Sequence, residues 1–335
     1  MPGKSLISFD TVGSIVNTLR EVDVRPIRVA AESSFVMAIL SRDLPLSQHF
    51  VDLLYRGLRA HDVPSTPVCG AFPLKMPHPI ERVNIAVIVA REDTDCTEEQ
   101  TLVRDLEKAG VRVLVCLVTA EKTPPPLRHR WLPASMVTVG DPIDDVQATN
   151  QLVNGILGLK TVDALALARH LPAFRERVSR TVIDDAALAN AIYSVGSGLV
   201  EIYPLADIPL NVADMMVLTK NQALMGYRIA LAMGLNADFR QIMPQLAAVV
   251  GSGFLLRQAA RGLIGLIPGL GIIPKVGVAF AGTYATGEVI HRWCAFGERV
   301  NSRALKDLYD SAIDRGRTVA RTLLGRYKKE KGLKK

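Results

Sequence analysis

The residues whose types suit chemistry are few, and their spacing completes no catalytic or metal site. Gly3-Lys4-Ser5 matches the end of a phosphate-binding loop, but neither a strand nor a first glycine precedes it. The six histidines include no pair three or four residues apart, so no two of them share a helix face as metal ligands would. Asp144-Asp145 and Asp184-Asp185 stand at predicted helix starts, where carboxylates interact favourably with the helix dipole. We therefore expect no catalytic residue, no cofactor and no metal.

The cysteine content points to a reducing compartment. Cys69, Cys96, Cys116 and Cys294 lie far apart, without a Cys-x-x-Cys pair, and indicate neither a zinc site nor a disulfide framework. That usage fits a cytosolic protein. We expect no signal peptide, because residues 1–15 lack a long apolar stretch. Aromatic residues make up only 5% of the chain, which argues against a surface that stacks on nucleic-acid bases.

The net charge of +7 is concentrated at one end of the chain. Residues 315–335 carry nine Lys and Arg against one acid, Glu330, so the remainder is close to neutral. A basic tail fits nucleic acid, anionic lipid or a merely solubilising role. Because an apolar segment precedes this tail, we favour lipid, at about 1 kcal/mol per cation near an anionic leaflet. The headgroup candidates are Arg315, Arg317, Arg321, Arg326, Lys328, Lys329 and Lys331.

A chain of 335 residues suggests about two domains, and the first is predicted over residues 1–160. The β-branched runs at 82–90 and 111–118 have the pattern of strands buried on both faces, which predicts an α/β domain with a mostly parallel sheet. Further strands are predicted at 27–30, 68–72 and 135–139, and helices at 33–40, 47–61, 97–108 and 144–157.

Residues 161–335 predict an all-α domain, because helical periodicity replaces the strand pattern. Asp214 and Gln222 are eight residues apart and share one helix face, where we favour solvent exposure over a buried polar network. Helices are predicted at 162–179, 184–201, 212–234, 237–250, 254–267, 274–295 and 299–328.

The stretch 262–287 is apolar with a single charge, Lys275, which indicates membrane association, since about 20 apolar residues cover a hydrocarbon core. It also holds seven glycines and two prolines, and the break at 268–271 predicts an apolar helical hairpin over about 244–290. Arg257 and Arg261 disfavour a full span by the first arm. The alternative is a soluble bundle with a Gly-rich buried helix, and both interpretations stay open.

Two sets of residues in this stretch are singled out. Membrane contact is predicted for the large apolar side chains of Leu263, Leu266, Ile267, Leu270, Ile272, Ile273, Val278 and Phe280. Close helix packing is predicted for the small residues of two stripes, Gly277, Ala281, Gly282, Ala285 and Thr286.

The order of elements in the first domain resembles the Era-type small GTPase fold. The resemblance implies a phosphate loop after strand 27–30, where residues 30–34 contain no glycine or lysine and Glu32 would repel a triphosphate. It implies a D-x-x-G motif within 63–79, which contains no Asp, and an N-K-x-D motif after strand 111–118, where 119–122 read TAEK. It implies an S-A-K/L motif after strand 135–139, where the sequence is Gly140-Asp141. The interpretation is a pseudo-GTPase module that has lost its nucleotide chemistry.

A second pattern runs through residues 205–300. It consists of PLNVAD at 209–214, IPGLG at 267–271 and GTYATG at 282–287. The pattern resembles that of the YcjF-like family of uncharacterised bacterial membrane proteins, whose helical domain commonly follows an Era-type GTPase domain. The resemblance implies a membrane location and this architecture, but no reaction.

Together these patterns predict a non-enzymatic, membrane-associated interaction or scaffold protein at the cytoplasmic face of the membrane. The expected partners are anionic lipids and an unidentified protein, either a GTPase or another copy of this chain, and no nucleic acid is expected. Two alternatives remain: an NTPase with atypical binding residues that acts at the membrane, and a soluble helical adaptor.

Overall fold

The computed structural model describes residues 23–58, 68–120, 135–200, 210–236, 238, 241–242, 272–297 and 302–332. The chain forms two compact units. The α/β unit comprises Ile27–Val178 with Ala232–Gly234, and the helical unit comprises Met1–Pro26, Ser179–Leu231 and Leu235–Lys335.

The α/β unit contains a five-stranded sheet whose strands are all parallel, and this confirms the predicted α/β class. Its strands lie in the order β2-β1-β3-β4-β5, the order of doubly wound sheets of the flavodoxin type. The strands are β1 (Met37–Ser41), β2 (Cys69–Pro73), β3 (Ile85–Arg91), β4 (Arg112–Thr119) and β5 (Ser135–Gly140).

Helices cover both faces of this sheet, which is why β3 and β4 are apolar except at their ends. Helix α3 (Thr97–Lys108) packs on one face against alternate residues of β1, β3 and β4. Helices α2 (Leu44–Tyr55) and α4 (Asp145–Leu159) contact each other, α2 packing on β1 and β2 and α4 on β4 and β5.

At the start of the α/β unit, the structure has a helix where a strand was predicted and a strand where a helix was predicted. Residues 27–30, predicted as a strand, belong to helix α1 (Arg25–Ala31), and β1 overlaps the second half of the predicted helix at 33–40. In α1, Ile27 and Ala31 are buried four residues apart while Val29 is 69% exposed, which is a helical pattern. All five residues of β1 are buried, and a short apolar run of that kind cannot be assigned by periodicity alone.

The connection from β2 to β3 contains no α-helix. A single 3-10 turn, Ile80–Arg82, stands where a doubly wound sheet usually has a crossover helix. Four partly buried side chains take the helix's place and pack against the core under α3, namely Leu74, Met76, Ile80 and Val83. Beside α3, this face of the sheet is therefore covered by loop side chains and not by a second helix.

The α/β unit continues to Val178, beyond the predicted domain limit at residue 160. Helix α5 (Ala164–His170) and the 3-10 turn Pro172–Phe174 belong to it, and Phe174 is fully buried. The predicted helix at 162–179 is interrupted here, because Leu171 precedes a proline and is extended. Helix α6 (Arg175–Val200) then runs without the predicted break at 180–183.

The described part of the helical unit consists of α6 from Ser179, α7 (Leu210–Ala232), α8 (Ile272–Phe296) and α9 (Ser302–Gly332). Alanines of α6 and α9 pack with Val276 and Phe280 of α8 in one core cluster. The second arm of the predicted hairpin is therefore a continuous helix in a protein core, whereas its first arm and turn, residues 244–271, lie outside the described residues.

Two glycines set the distance between α8 and α9. A Cβ added at Gly316 would lie 2.6 Å from the carbonyl oxygen of Gly277 and 3.0 Å from its Cα. These are backbone atoms, so the clash could be relieved only by moving one helix away from the other. A Cβ at Gly325, two and a half turns further along α9, would meet nothing within 4 Å.

We predict that Gly316→Ala destabilises the helical unit by about 1–3 kcal/mol, because it forces apart two packed helices. Gly325→Ala is the matched control in the same helix, and it should be neutral or stabilising by up to about 1 kcal/mol through helix propensity. Denaturant unfolding followed by circular dichroism measures both. Equal stabilities for the two variants would show that the α8–α9 contact is not as tight as described.

Candidate functional site

The carboxyl edge of the sheet is the place where doubly wound sheets bind ligands, in the crevice where the strand order reverses. In this chain the reversal lies between β1 and β3. Because β1 ends at Ser41, the residues in the phosphate-loop position are Arg42 and Asp43, and not 30–34 as the sequence suggests. This connection has two residues and contains neither glycine nor lysine.

Arg42 closes the crevice by binding a buried acid. Its guanidinium donates from Nε to Oε1 of Glu99 at 2.8 Å and from Nη2 to Oε2 at 2.8 Å, a bidentate pair. Glu99, in the first turn of α3, is only 2% exposed. The exposed carboxylate of Glu98 lies 3.5 Å from the same Nε. The guanidinium of Arg42, at the point where the strand order reverses, is thus already paired with carboxylates of the same chain.

The helix that follows β1 offers no anion site. Asp43 is the N-cap of α2, and its Oδ1 accepts a hydrogen bond from the backbone N–H of Leu46. The N–H of Ser47 donates to the carbonyl of Asp43, and Pro45 has no N–H. Helix N-termini bind phosphate through free N–H groups and a positive dipole end. A carboxylate already occupies that position here and would repel a phosphate.

The ends of β3 and β5 are joined by an ion pair. Arg91, the last residue of β3, binds Asp141, which follows β5, with Nη1 2.6 Å from Oδ2. Asp144 caps α4, and Asp145 in its first turn binds Arg56 at 2.8 Å, a hydrogen bond that lowers the pKa of Asp145. Every described helix that begins at this edge therefore has a carboxylate at its N-terminus.

The other positions that the GTPase resemblance implies carry none of its motif residues within the described chain. After β2 the sequence is LKMP at 74–77, without an Asp. After β4 only Ala120 is described, and 121–122 of the predicted N-K-x-D position lie outside the described residues. Glu92, just after β3, is 7% exposed, and its Oε1 accepts no hydrogen bond from the described residues.

The thiols of the α/β unit are unsuited to nucleophilic chemistry. Burial raises the pKa of Cys69 and of Cys116 to about 12, and burial also raises the pKa of Cys96. A thiol is a nucleophile only as the thiolate, so these side chains are inert near neutral pH. No group of three or more His, Cys, Asp or Glu side chains could hold a metal ion in the part of the chain that is described.

The predicted membrane-contact residues are divided between described and undescribed parts of the chain. Leu263, Leu266, Ile267 and Leu270 lie outside the described residues, and Ile272 and Ile273 are the first two residues of α8. Val278 and Phe280 are 7% and 3% exposed within the helical unit. In this arrangement their side chains contact protein.

The predicted packing residues lie on the buried surface of α8. Gly277 contacts Gly316 of α9, while Ala281 and Ala285 are almost completely buried. The hydroxyl of Thr286 donates to the carbonyl of Gly282 at 2.7 Å, so this polar residue is satisfied within its own helix.

A buried polar network crosses the helical unit at the level of Thr283. Its hydroxyl accepts from Asn190 of α6 at 2.8 Å and from Gln222 of α7 at 3.2 Å, and donates to the carbonyl of Ala279. Asn221 donates to Asn190 Oδ1 at 2.7 Å. Gln222 is fully buried, so the expectation of solvent exposure was wrong. The polar side chain of Gln222 in a mostly apolar helix was a signal for this network, but nothing in the sequence connects it to Asn190 or Thr283.

The basic residues of 315–335 differ in their surroundings. Arg315 binds Asp184 of α6 at 3.0 Å, and its guanidinium lies 4.9 Å from the ring centre of Tyr284 and 5.7 Å from that of Phe280. It therefore links α9 to α6 and α8. Arg317 binds Asp314 at 2.9 Å, and Arg321 is exposed. Arg326, Lys328, Lys329 and Lys331 lie on α9 near its C-terminus.

We predict that Glu99→Gln destabilises the α/β unit by about 1–3 kcal/mol, because it removes the charge of a buried carboxylate that binds Arg42 through two hydrogen bonds. Glu98→Gln is the matched control, since Glu98 faces the same arginine from an exposed position, and should cost less than about 1 kcal/mol. Urea unfolding measures both variants. An equal effect of the two substitutions would contradict the role given to the bidentate pair.

Among the described residues, no helix combines the length and the apolar composition needed to cross a membrane. No protein-family model, curated protein or solved structure matches this chain.

Proposed function

We propose that this chain is a non-enzymatic, membrane-associated interaction protein in which the α/β unit is a GTPase-like module without nucleotide. The observation that carries the first part is the closed carboxyl edge of the sheet. Arg42 is bound to Glu99, and Asp43 caps the helix that would otherwise face a phosphate. A triphosphate placed there would meet carboxylates, and the described cation at the switch point, Arg42, is already paired.

The membrane part of the proposal rests on charge. Six of the nine basic residues of 315–335 lie after Gly325, and α9 extends to Gly332. Cations at the end of a helix interact favourably with its dipole and with an anionic leaflet. The chain would then sit at the cytoplasmic face of the membrane, with anionic lipid as one partner and a protein as another. The resemblance of residues 205–300 to the YcjF-like family supports the same location.

A soluble helical adaptor is the second candidate, and the burial of Phe280 favours it. This side chain lies in a protein core with Ala187, Ala191 and Ala320 and carries a cation above its ring. A side chain used in that way is not available to lipid. The two candidates differ in whether the purified chain binds vesicles.

We predict that the chain binds neither GTP nor ATP at millimolar Mg²⁺-nucleotide, because the phosphate position is occupied by Asp43 and the Arg42–Glu99 pair. Equilibrium titration with a fluorescent nucleotide measures this directly. Saturable, Mg²⁺-dependent binding in the micromolar range would overturn the pseudo-GTPase proposal and support the NTPase alternative.

We predict that replacing Lys328, Lys329 and Lys331 with Gln weakens binding to anionic vesicles by about a hundredfold at low salt, since each lysine contributes about 1 kcal/mol. Replacing the same residues with Arg keeps the charge and should preserve binding. Both variants leave Arg315 and Gly316, which pack in the protein, unchanged. Vesicle co-sedimentation provides the measurement, with neutral vesicles as the lipid control.

Equal binding of the Gln and Arg variants would exclude an electrostatic role for this end of α9. A wild-type protein that is monodisperse without detergent and indifferent to vesicles would favour the adaptor.

A further inference from the structure

A shallow groove of about 540 Å³ runs along α3, on the face of the sheet where the β2–β3 connection lacks a helix. It lies on the α/β unit alone. Its lining consists of Met76, Thr97, Glu98, Thr101, Leu102 and Asp105. The two apolar side chains belong to the core cluster or pack against it, and the two carboxylates belong to exposed residues of α3.

The groove has an acidic rim and an apolar floor, which is the chemistry that accepts a helix. Glu98 and Asp105 are seven residues apart, so they lie two turns and about 10 Å apart on one side of α3. Leu102 and Met76 lie between them as an apolar floor. Grooves with an apolar floor are a common receptor for amphipathic helices. The acidic rim selects for a helix with basic residues.

The negative charge of this surface extends beyond the groove. Helix α3 contains four acids against two bases, and the exposed Asp93 and Asp95 precede it. Glu98 lies 3.5 Å from Arg42, and Asp105 lies 3.5 Å from Lys108. Neither acid has the close, bidentate partner that Glu99 has, so both can bind a further cation.

The chain itself contains a helix with the matching spacing. On α9, Arg321 and Lys328 are also seven residues apart. Arg321 is exposed, on the side of α9 opposite the buried Gly316 and Ala320. Gly325, between the two basic residues, is exposed and has open space where a Cβ would stand. By helical spacing, positions 321, 325 and 328 lie on one side of α9, with basic residues at both ends and a small residue between them, whereas the groove is acidic at both ends and apolar in the middle.

We propose that the basic stripe of α9 docks in the α3 groove of a second copy of this chain, with the two helices antiparallel. Asp105 then faces Arg321, and the position of Glu98 on α3 is level with that of residue 328 on α9. The antiparallel direction also brings the N-terminal end of α3, with its acids, to the C-terminal end of α9, with its cations, so the two helix dipoles attract. The proposal goes beyond the proposed function and does not require lipid.

The test uses the full chain and its self-association, measured by sedimentation velocity at low salt. The wild type should associate, and high salt should weaken the association. Asp105→Arg and Arg321→Asp should each weaken it by roughly tenfold, because each places like charges opposite one another. An equimolar mixture of the two variants should associate again, since the introduced arginine of one molecule then faces the introduced aspartate of the other.

Asp52→Arg is the control, because it makes the same charge change on an exposed residue of α2, which does not line the groove. It should leave the association unchanged, and circular dichroism should show that all variants are folded. A monomeric wild type at low salt would overturn the proposal. Equal effects of Asp52→Arg and Asp105→Arg, or a mixture that fails to associate, would do the same.

Discussion

The buried carboxylate of Glu99 is the constraint on which the α/β unit depends. Glu99 is 2% exposed, and its ionised carboxylate needs a partner of opposite charge, because an unpaired charge in a protein interior costs several kcal/mol. Arg42 meets this requirement from the end of β1, and in doing so it fastens β1 to the first turn of α3. The same contact uses the cation that stands at the switch point of the sheet. One ion pair thus both stabilises the fold and closes the crevice where a ligand would bind.

The helical unit is organised by a different constraint, the small size of the residues at its closest contact. Gly277 and Gly316 bring the backbones of α8 and α9 together, and Arg315, next to the second glycine, reaches across to Asp184 and two aromatic rings of α8. Close backbones maximise dispersion contacts along both helices. Basic residues within 315–335 therefore differ in role. Arg315 contributes to the packing of the helical unit, whereas the basic residues after Gly325 lie on α9 beyond its closest contact with α8.

The sequence predicted the architecture better than the site. Strands such as β3 and β4 are recognisable because parallel strands are apolar on both faces, and the all-α half follows from its periodicity. The exchange of helix and strand within 25–41 shows the limit, since a five-residue buried run has no period long enough to measure. The Arg42–Glu99 pair joins residues 57 positions apart. It could not be predicted, because Arg42 follows a strand that the sequence pattern did not locate. Likewise, Gln222 could be noticed as polar in an apolar helix, but its partners on two other helices could not.

The polar network around Thr283 has a consequence for how the helical unit assembles. Helices lined with glycine and alanine can slide along one another, because one small side chain substitutes for the next with little change in volume. A shift of α8 by one turn, about 5.4 Å, would carry Thr283 away from Asn190 and Gln222 and strand buried amides in an apolar surrounding. The observed alignment of the three helices is the one in which the amide nitrogens of Asn190 and Gln222 both donate to Thr283. The buried amides therefore specify one register of the helices, where apolar packing alone would tolerate several.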